Sequence, residues 1–137
     1  MDQPVQKQLL HQRVRNGIMD YLELAASAEE QRAYECHVPI AQVPNELINR
    51  WEDWVRYDDL DWYAAPVFSP EEIAAIRAFH AIWLAVADAT PEPMPHTIDA
   101  LIGTQVWDRL MTAAQTALIV FEKRGRFDQE IVHRFDL

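Results

Sequence analysis

Between positions 58 and 63 the chain sets three carboxylates and two aromatic rings within six residues: Asp58, Asp59, Asp61, Trp62 and Tyr63. Glu52 and Asp53 precede them by a few positions. Clustered carboxylates can hold a divalent cation or meet cationic groups of another protein. An EF-hand loop begun at Asp59 would need glycine at its sixth position and glutamate at its twelfth. Those positions are Ala64 and Pro70, so the calcium pattern fails and no metal site is expected. Acidic and aromatic side chains on an irregular stretch suit a basic protein partner, with charge steering it in and rings holding it. The alternative is a solvated acidic turn whose Trp62 folds back over the core.

Other chemistry finds less support. The histidines are His11, His37, His80, His96 and His133, and none forms a His-Glu-x-x-His or Glu-x-x-His motif, so zinc and di-iron bundle sites are not expected. His80 falls near an apolar stripe between Phe79 and Trp83, where a half-buried structural histidine is expected rather than a general base. Cys36 and His37 would point to opposite faces of an extended strand, a poor geometry for a nucleophile and its base. The two serines are Ser27 and Ser69, and Ser69 is placed to cap a helix. No nucleophile, base and orienting group share a workable spacing, so no catalytic residue and no cofactor are expected.

The charge balance narrows the partner. The 137 residues carry 22 acids against 12 lysines and arginines, a net charge of −10. Such a balance repels nucleic acid and anionic membranes, and neither is expected as a partner. Residues 44–72 hold eight acids and two bases, so more than half the surplus lies in about a fifth of the chain. Three glycines cannot build a phosphate-cradling loop. A single cysteine and no secretory leader fit a cytoplasmic protein.

The elements that would position these groups read as helices. Over residues 4–34, Leu10, Val14, Ile18, Tyr21, Leu22 and Ala25 recur at helical spacing, with Arg13, Arg15, Asp20 and Glu23 elsewhere, and Gly17 weakens the helix without breaking it. Residues 38–44 carry two prolines and read as an extended connector. A second helix over 44–57 puts Leu47, Ile48, Trp51, Trp54 and Val55 on one arc. Ser69, Pro70, Glu71 and Glu72 form a strong helix start, and that helix turns Ile73, Ile76, Phe79, Trp83 and Val86 inward before stopping near Thr90. A last helical region over 97–123 breaks near Gly103 and is apolar over most of its circumference, as a central helix would be. Beyond it, Ile131, Val132 and Phe135 can pack back. The expectation is an all-α single-domain bundle of four or five helices spanning residues 1–137.

The stretch VPNELINRWEDWV at 43–55, followed by PVFSP at 66–70 and by Phe79 and His80, resembles small acidic bacterial immunity proteins encoded beside polymorphic or contact-dependent growth-inhibition toxins. That resemblance covers roughly residues 38–90 and carries over no individual site. It implies a cytosolic, non-catalytic protein that binds a toxin domain. The expected function is therefore neutralisation of a cationic protein partner, with Glu52, Asp53, Asp58, Asp59, Asp61, Trp62 and Tyr63 as the contact residues. The alternatives are a regulatory or adaptor module that oligomerises through a helix face, or a small helical ligand-binding protein or enzyme.

Overall fold

The computed structural model describes residues 3–38 and 42–135. Among them lie six α-helices: α1 Gln3–Ala25, α2 Ala28–His37, α3 Val43–Asn49, α4 Trp51–Trp54, α5 Pro70–Ala89 and α6 Gln105–Glu122. Short 3₁₀ segments occupy Tyr57–Trp62 and Ile98–Ala100, and no described residue is in a strand. The fold is all-α, as the periodicity requires.

The segmentation is finer than four or five helices because two expected helices are divided. The Ser27 hydroxyl accepts from the Glu30 amide and starts α2 where one helix over 4–34 was expected. Cys36 and His37 therefore lie at the end of a helix rather than in an extended strand. The expected helix over 44–57 breaks between α3 and α4 and stops at Trp54. Of the connector over 38–44, residues 39–41 lie outside the described residues, and α3 begins at Val43, one residue before the Pro44 start that was expected. The break near Gly103 is where it was expected. Gly103 has φ 93°, a conformation glycine adopts without cost, and the Thr104 hydroxyl then caps α6 by accepting from the Trp107 amide. At α5, Ser69 and Glu72 form a reciprocal capping box.

The most enclosed helix is α1, which buries eleven residues against five in α6. Apolar composition pointed instead to α6, but Ile119 there is 62% exposed. Helix α6 buries one stripe, Trp107, Leu110, Ala114, Ala117 and Phe121. The inward face of α1 runs through His11, Arg15, Ile18, Leu22 and Ala25, with Gln12 and Asn16 beside it. Leu10, expected inward, is exposed, and Arg15, expected outward, is fully buried. Trp51, Trp83 and Trp107 are buried as their spacing required. The buried tryptophan and tyrosine rings satisfy their polar atoms: Trp83 Nε1 donates to the Ile48 carbonyl, Trp107 Nε1 to Gln31 Oε1, and the Tyr21 hydroxyl to the Leu47 carbonyl.

Every N–H of Arg15 is engaged. Nε and Nη2 donate to the two oxygens of Glu72 at 3.2 and 2.7 Å, Nη2 also reaches the Phe121 carbonyl, and Nη1 reaches the Gly125 carbonyl and Met19 Sδ. Its guanidinium lies 4.3 Å from the Phe127 ring centre. Arg124 donates to the same carboxylate and to the Pro66 and Val67 carbonyls. Burial alone would raise the Glu72 carboxyl, but the two guanidiniums and the Ser69 amide outweigh it and hold the group below the usual carboxylate range.

The chain after α6 returns along α1. Asn16 donates to the Phe127 carbonyl and accepts from its amide, and Gln12 binds the Asp128 and Ile131 carbonyls and the His133 amide. Phe127 is buried and Phe135 packs against the core, whereas Ile131 stays exposed.

Two outcomes follow. Gly17 is buried beneath the Trp54 ring, and a Cβ there would lie 2.5 Å from a ring carbon. Gly17→Ala, which ordinarily stabilises a helix interior by about 0.5–1 kcal/mol, should here destabilise by about 1–3 kcal/mol through overpacking. A raised thermal midpoint would refute that contact. Glu72→Ala strands a buried guanidinium and should cost about 3–5 kcal/mol in denaturant unfolding, with Arg15→Met added in the same chain recovering part of it. No recovery in the double variant would mean that Glu72 acts through its cap alone.

Candidate functional site

The acidic stretch is placed by four inward anchors. Trp51 is fully enclosed, Val55 and Leu60 are buried, and Tyr63 is 4% exposed. Between these anchors Glu52 and Asp53 of α4, then Asp58, Asp59 and Asp61 of the Tyr57–Trp62 segment, face solvent. That segment is two short turns kinked at Asp59. Among the described residues no lysine, arginine or histidine lies within 4 Å of any of these five carboxylates. No three His, Cys, Asp or Glu side chains among the described residues gather closely enough to hold a metal ion.

Tyr63 was expected at the surface beside Trp62 and is instead a buried anchor. Its hydroxyl donates to the Trp54 carbonyl at 2.6 Å and accepts from the Arg56 amide at 2.9 Å, tying the kinked segment back to α4. Burial raises its phenol above the ordinary value. Trp62 is half-buried: its ring meets His11 edge-on at 4.2 Å and Tyr63 at 4.9 Å, leaving one part against α1 and one part to solvent. Tyr57, not among the expected contact residues, is 44% exposed and stacks on His80 at 3.9 Å.

His80 is half-buried, as its place in the stripe implied. Trp51 Nε1 donates to its Nδ1 at 3.1 Å, which requires a neutral ring with its proton on Nε2. Burial pushes it below its ordinary value, against an opposing pull from Glu52. His11 is 4% exposed, and its Nε2 has no hydrogen-bond partner among the described residues. Burial, with a contribution from Lys7, lowers it too.

Beside the acidic edge lies a cavity of about 260 Å³ lined by Val14, Asp53, Trp54, Arg56, Asp59, Trp62 and Tyr63. Periodicity did not disclose it. Trp54 was assigned to the buried arc of a helix, but α4 ends there and the ring turns onto α1. The available signal was Gly17, a glycine inside a strongly helical stretch, which implies close approach by a neighbour. A second, larger hollow of about 1010 Å³ runs between α5 and α6, mostly apolar, with Glu71, Asp108 and Arg109 at its rim.

Compared with protein-family models, with curated proteins and with solved structures, the chain matches none. Among the described residues no helix is long and apolar enough to cross a membrane.

The histidines set a pH dependence. Both His11 and His80 bind protons less readily folded than unfolded, so the unfolded chain gains protons first as pH falls. Stability should therefore be unaffected by these groups above about pH 6.5 and decline below it. His11→Phe keeps a ring against Trp62 and should remove part of that decline when urea midpoints at pH 7.5 and 5.5 are compared. An unchanged difference would remove His11 from the account.

Proposed function

We propose that this protein is a non-catalytic binding protein that neutralises a cationic protein partner, a toxin domain, in the manner of the acidic immunity proteins its sequence resembles. It would act in the cytoplasm and without a cofactor. One observation carries this reading: Glu52, Asp53, Asp58, Asp59 and Asp61, close together in the chain, are all exposed, none has a cation within 4 Å among the described residues, and Trp62 and Tyr57 of the same stretch keep accessible surface. Like charges held together repel one another, and a basic surface relieves that repulsion while the rings supply desolvated contact. Glu52, Asp53, Asp58, Asp59 and Asp61 steer, Trp62 anchors, and Tyr63 holds the segment in place from below.

The experiment is affinity capture from the source cells, followed by stopped-flow association with the purified partner. The expected partner is basic, and changing Asp58, Asp59 and Asp61 together to asparagine lowers the association rate about tenfold at low salt and flattens its salt dependence. Trp62→Ala should act mainly on the dissociation rate. A partner of acidic charge, or an association rate indifferent to the three substitutions, would overturn the proposal.

A second reading, a regulatory or adaptor module that oligomerises, draws on the hollow between α5 and α6. Its rim carries both signs of charge, Asp108 and Arg109, an arrangement that lets a mostly apolar face complement its own copy. Sedimentation of the wild type and of Ala113→Glu separates the two: a dimer lost in the variant favours this second reading.

A further inference from the structure

We infer that the 260 Å³ cavity beside the acidic edge receives a single arginine side chain from the protein partner, an assignment that rests on the binding function proposed above. The size of the cavity limits its occupant. It lies below the roughly 300–1,000 Å³ of pockets that take whole small molecules, so one side chain fits where a cofactor does not. The lining defines the chemistry. Trp54 and Trp62 supply aromatic walls, and Asp53 and Asp59 supply two carboxylates that, among the described residues, have no cation within 4 Å. A planar guanidinium can stack on indole and donate to carboxylates at once, which an ammonium cannot do with the same economy of position.

The walls are set before any ligand arrives. Trp54 rests on Gly17 at a distance that excludes even a methyl group. Trp62 is held edge-on by His11. Tyr63 bonds the backbone on both sides of Val55, at Trp54 and Arg56, and so fixes the angle between α4 and the following turn. A site built this way loses little side-chain freedom on binding.

Arg56 also lines the cavity, exposed and, among the described residues, with no carboxylate within 4 Å. Its charge opposes an incoming cation and leaves the lining with a net charge of −1. That opposition makes the sign of the ligand testable, because removing Arg56 must strengthen binding of a cation and weaken binding of an anion.

The test titrates the full chain, with its tryptophan indoles ¹⁵N-labelled, with N-acetyl-arginine methylamide and with the matching citrulline and lysine compounds. The arginine compound should move the Trp54 and Trp62 signals saturably, while citrulline, isosteric but uncharged, leaves them in place and lysine binds more weakly. Arg56→Ala should tighten arginine binding by about two- to fivefold, the range one exposed charge interaction supplies. Asp53→Asn and Asp59→Asn should each weaken it by a similar factor, in spectra that remain otherwise dispersed and folded. Equal shifts with citrulline, equal binding of lysine, or weaker arginine binding in Arg56→Ala would overturn the assignment. The outcome is separable from that of the wider function. If a basic partner binds in a charge-dependent way while the arginine compound leaves both indoles unmoved, the cavity assignment fails alone. If the compound seats but no basic partner depends on the acidic edge, the neutralising function fails and the cavity remains a guanidinium site.

Discussion

The carboxylate of Glu72 is the point at which distant parts of this chain are joined. It is 1% exposed and receives Arg15 from α1, Arg124 from just beyond α6, and the backbone amide of Ser69 at the start of its own helix. Arg15 extends the network to the Phe121 and Gly125 carbonyls, and Arg124 extends it to Pro66 and Val67. The middle of the longest helix, the end of α6, the start of α5 and the loop after the acidic segment therefore share one set of charge-assisted bonds. Buried ion pairs are weak sources of stability on balance, because desolvation offsets attraction. What this one imposes is register: α1 can turn only one face inward, because any other would take Arg15 away from the buried Glu72 carboxylate.

That arrangement also shapes the surface. Arg15, Arg32, Arg50, Lys123, Arg124 and Arg126 each lie within 4 Å of a carboxylate, and their partners are Glu72, Asp99, Glu46, Glu71, Asp20 and Glu23. None of those partners lies between positions 52 and 63. The fold thus commits half of its twelve basic side chains elsewhere, and among the described residues none of the carboxylates at 52–61 has an ion pair. Folding neutralises the acidic stretch at its C-terminal end, where Arg15, Lys123 and Arg124 meet Glu71 and Glu72, and leaves the carboxylates at 52–61 without ion pairs among the described residues.

How far this was legible depended on the kind of signal. Capping chemistry was readable, since Ser69 and Glu72 act locally and the break at Gly103 needs only its neighbours. The buried tryptophans followed from helical spacing. Arg15 did not, because a charged side chain was assigned to solvent by type although it stands four residues after His11 and three before Ile18, in step with the buried stripe. The return of the tail along α1 was also hidden. It depends on the amides of Gln12 and Asn16 bonding backbone more than a hundred residues away, and amide side chains carry no periodic mark of such a role. For the acidic edge, the five carboxylates were legible as exposed. Tyr63 was not legible as buried, because its inward turn is imposed by the kinked 3₁₀ geometry and by hydrogen bonds to Trp54 and Arg56.

The groups that hold the acidic edge in shape are different from the groups that charge it. Leu60 and Tyr63 anchor it from below, Trp54 is fixed by the absence of a side chain at Gly17, and Trp62 leans on His11. None of these contacts involves a carboxylate. Charge on this edge can therefore vary without unfolding the helices beneath it, which separates the requirements of folding from those of recognition. The contact that crosses this division is His11. It is a titratable ring, buried under Trp62 with an unpaired nitrogen. Protonating it would place a cation directly beneath an aromatic wall of the cavity, where neither Trp62 nor Phe68 offers an oxygen to receive the proton. The aromatic wall is then dependable while His11 stays neutral, and proton uptake at His11 acts at the rim of the candidate site.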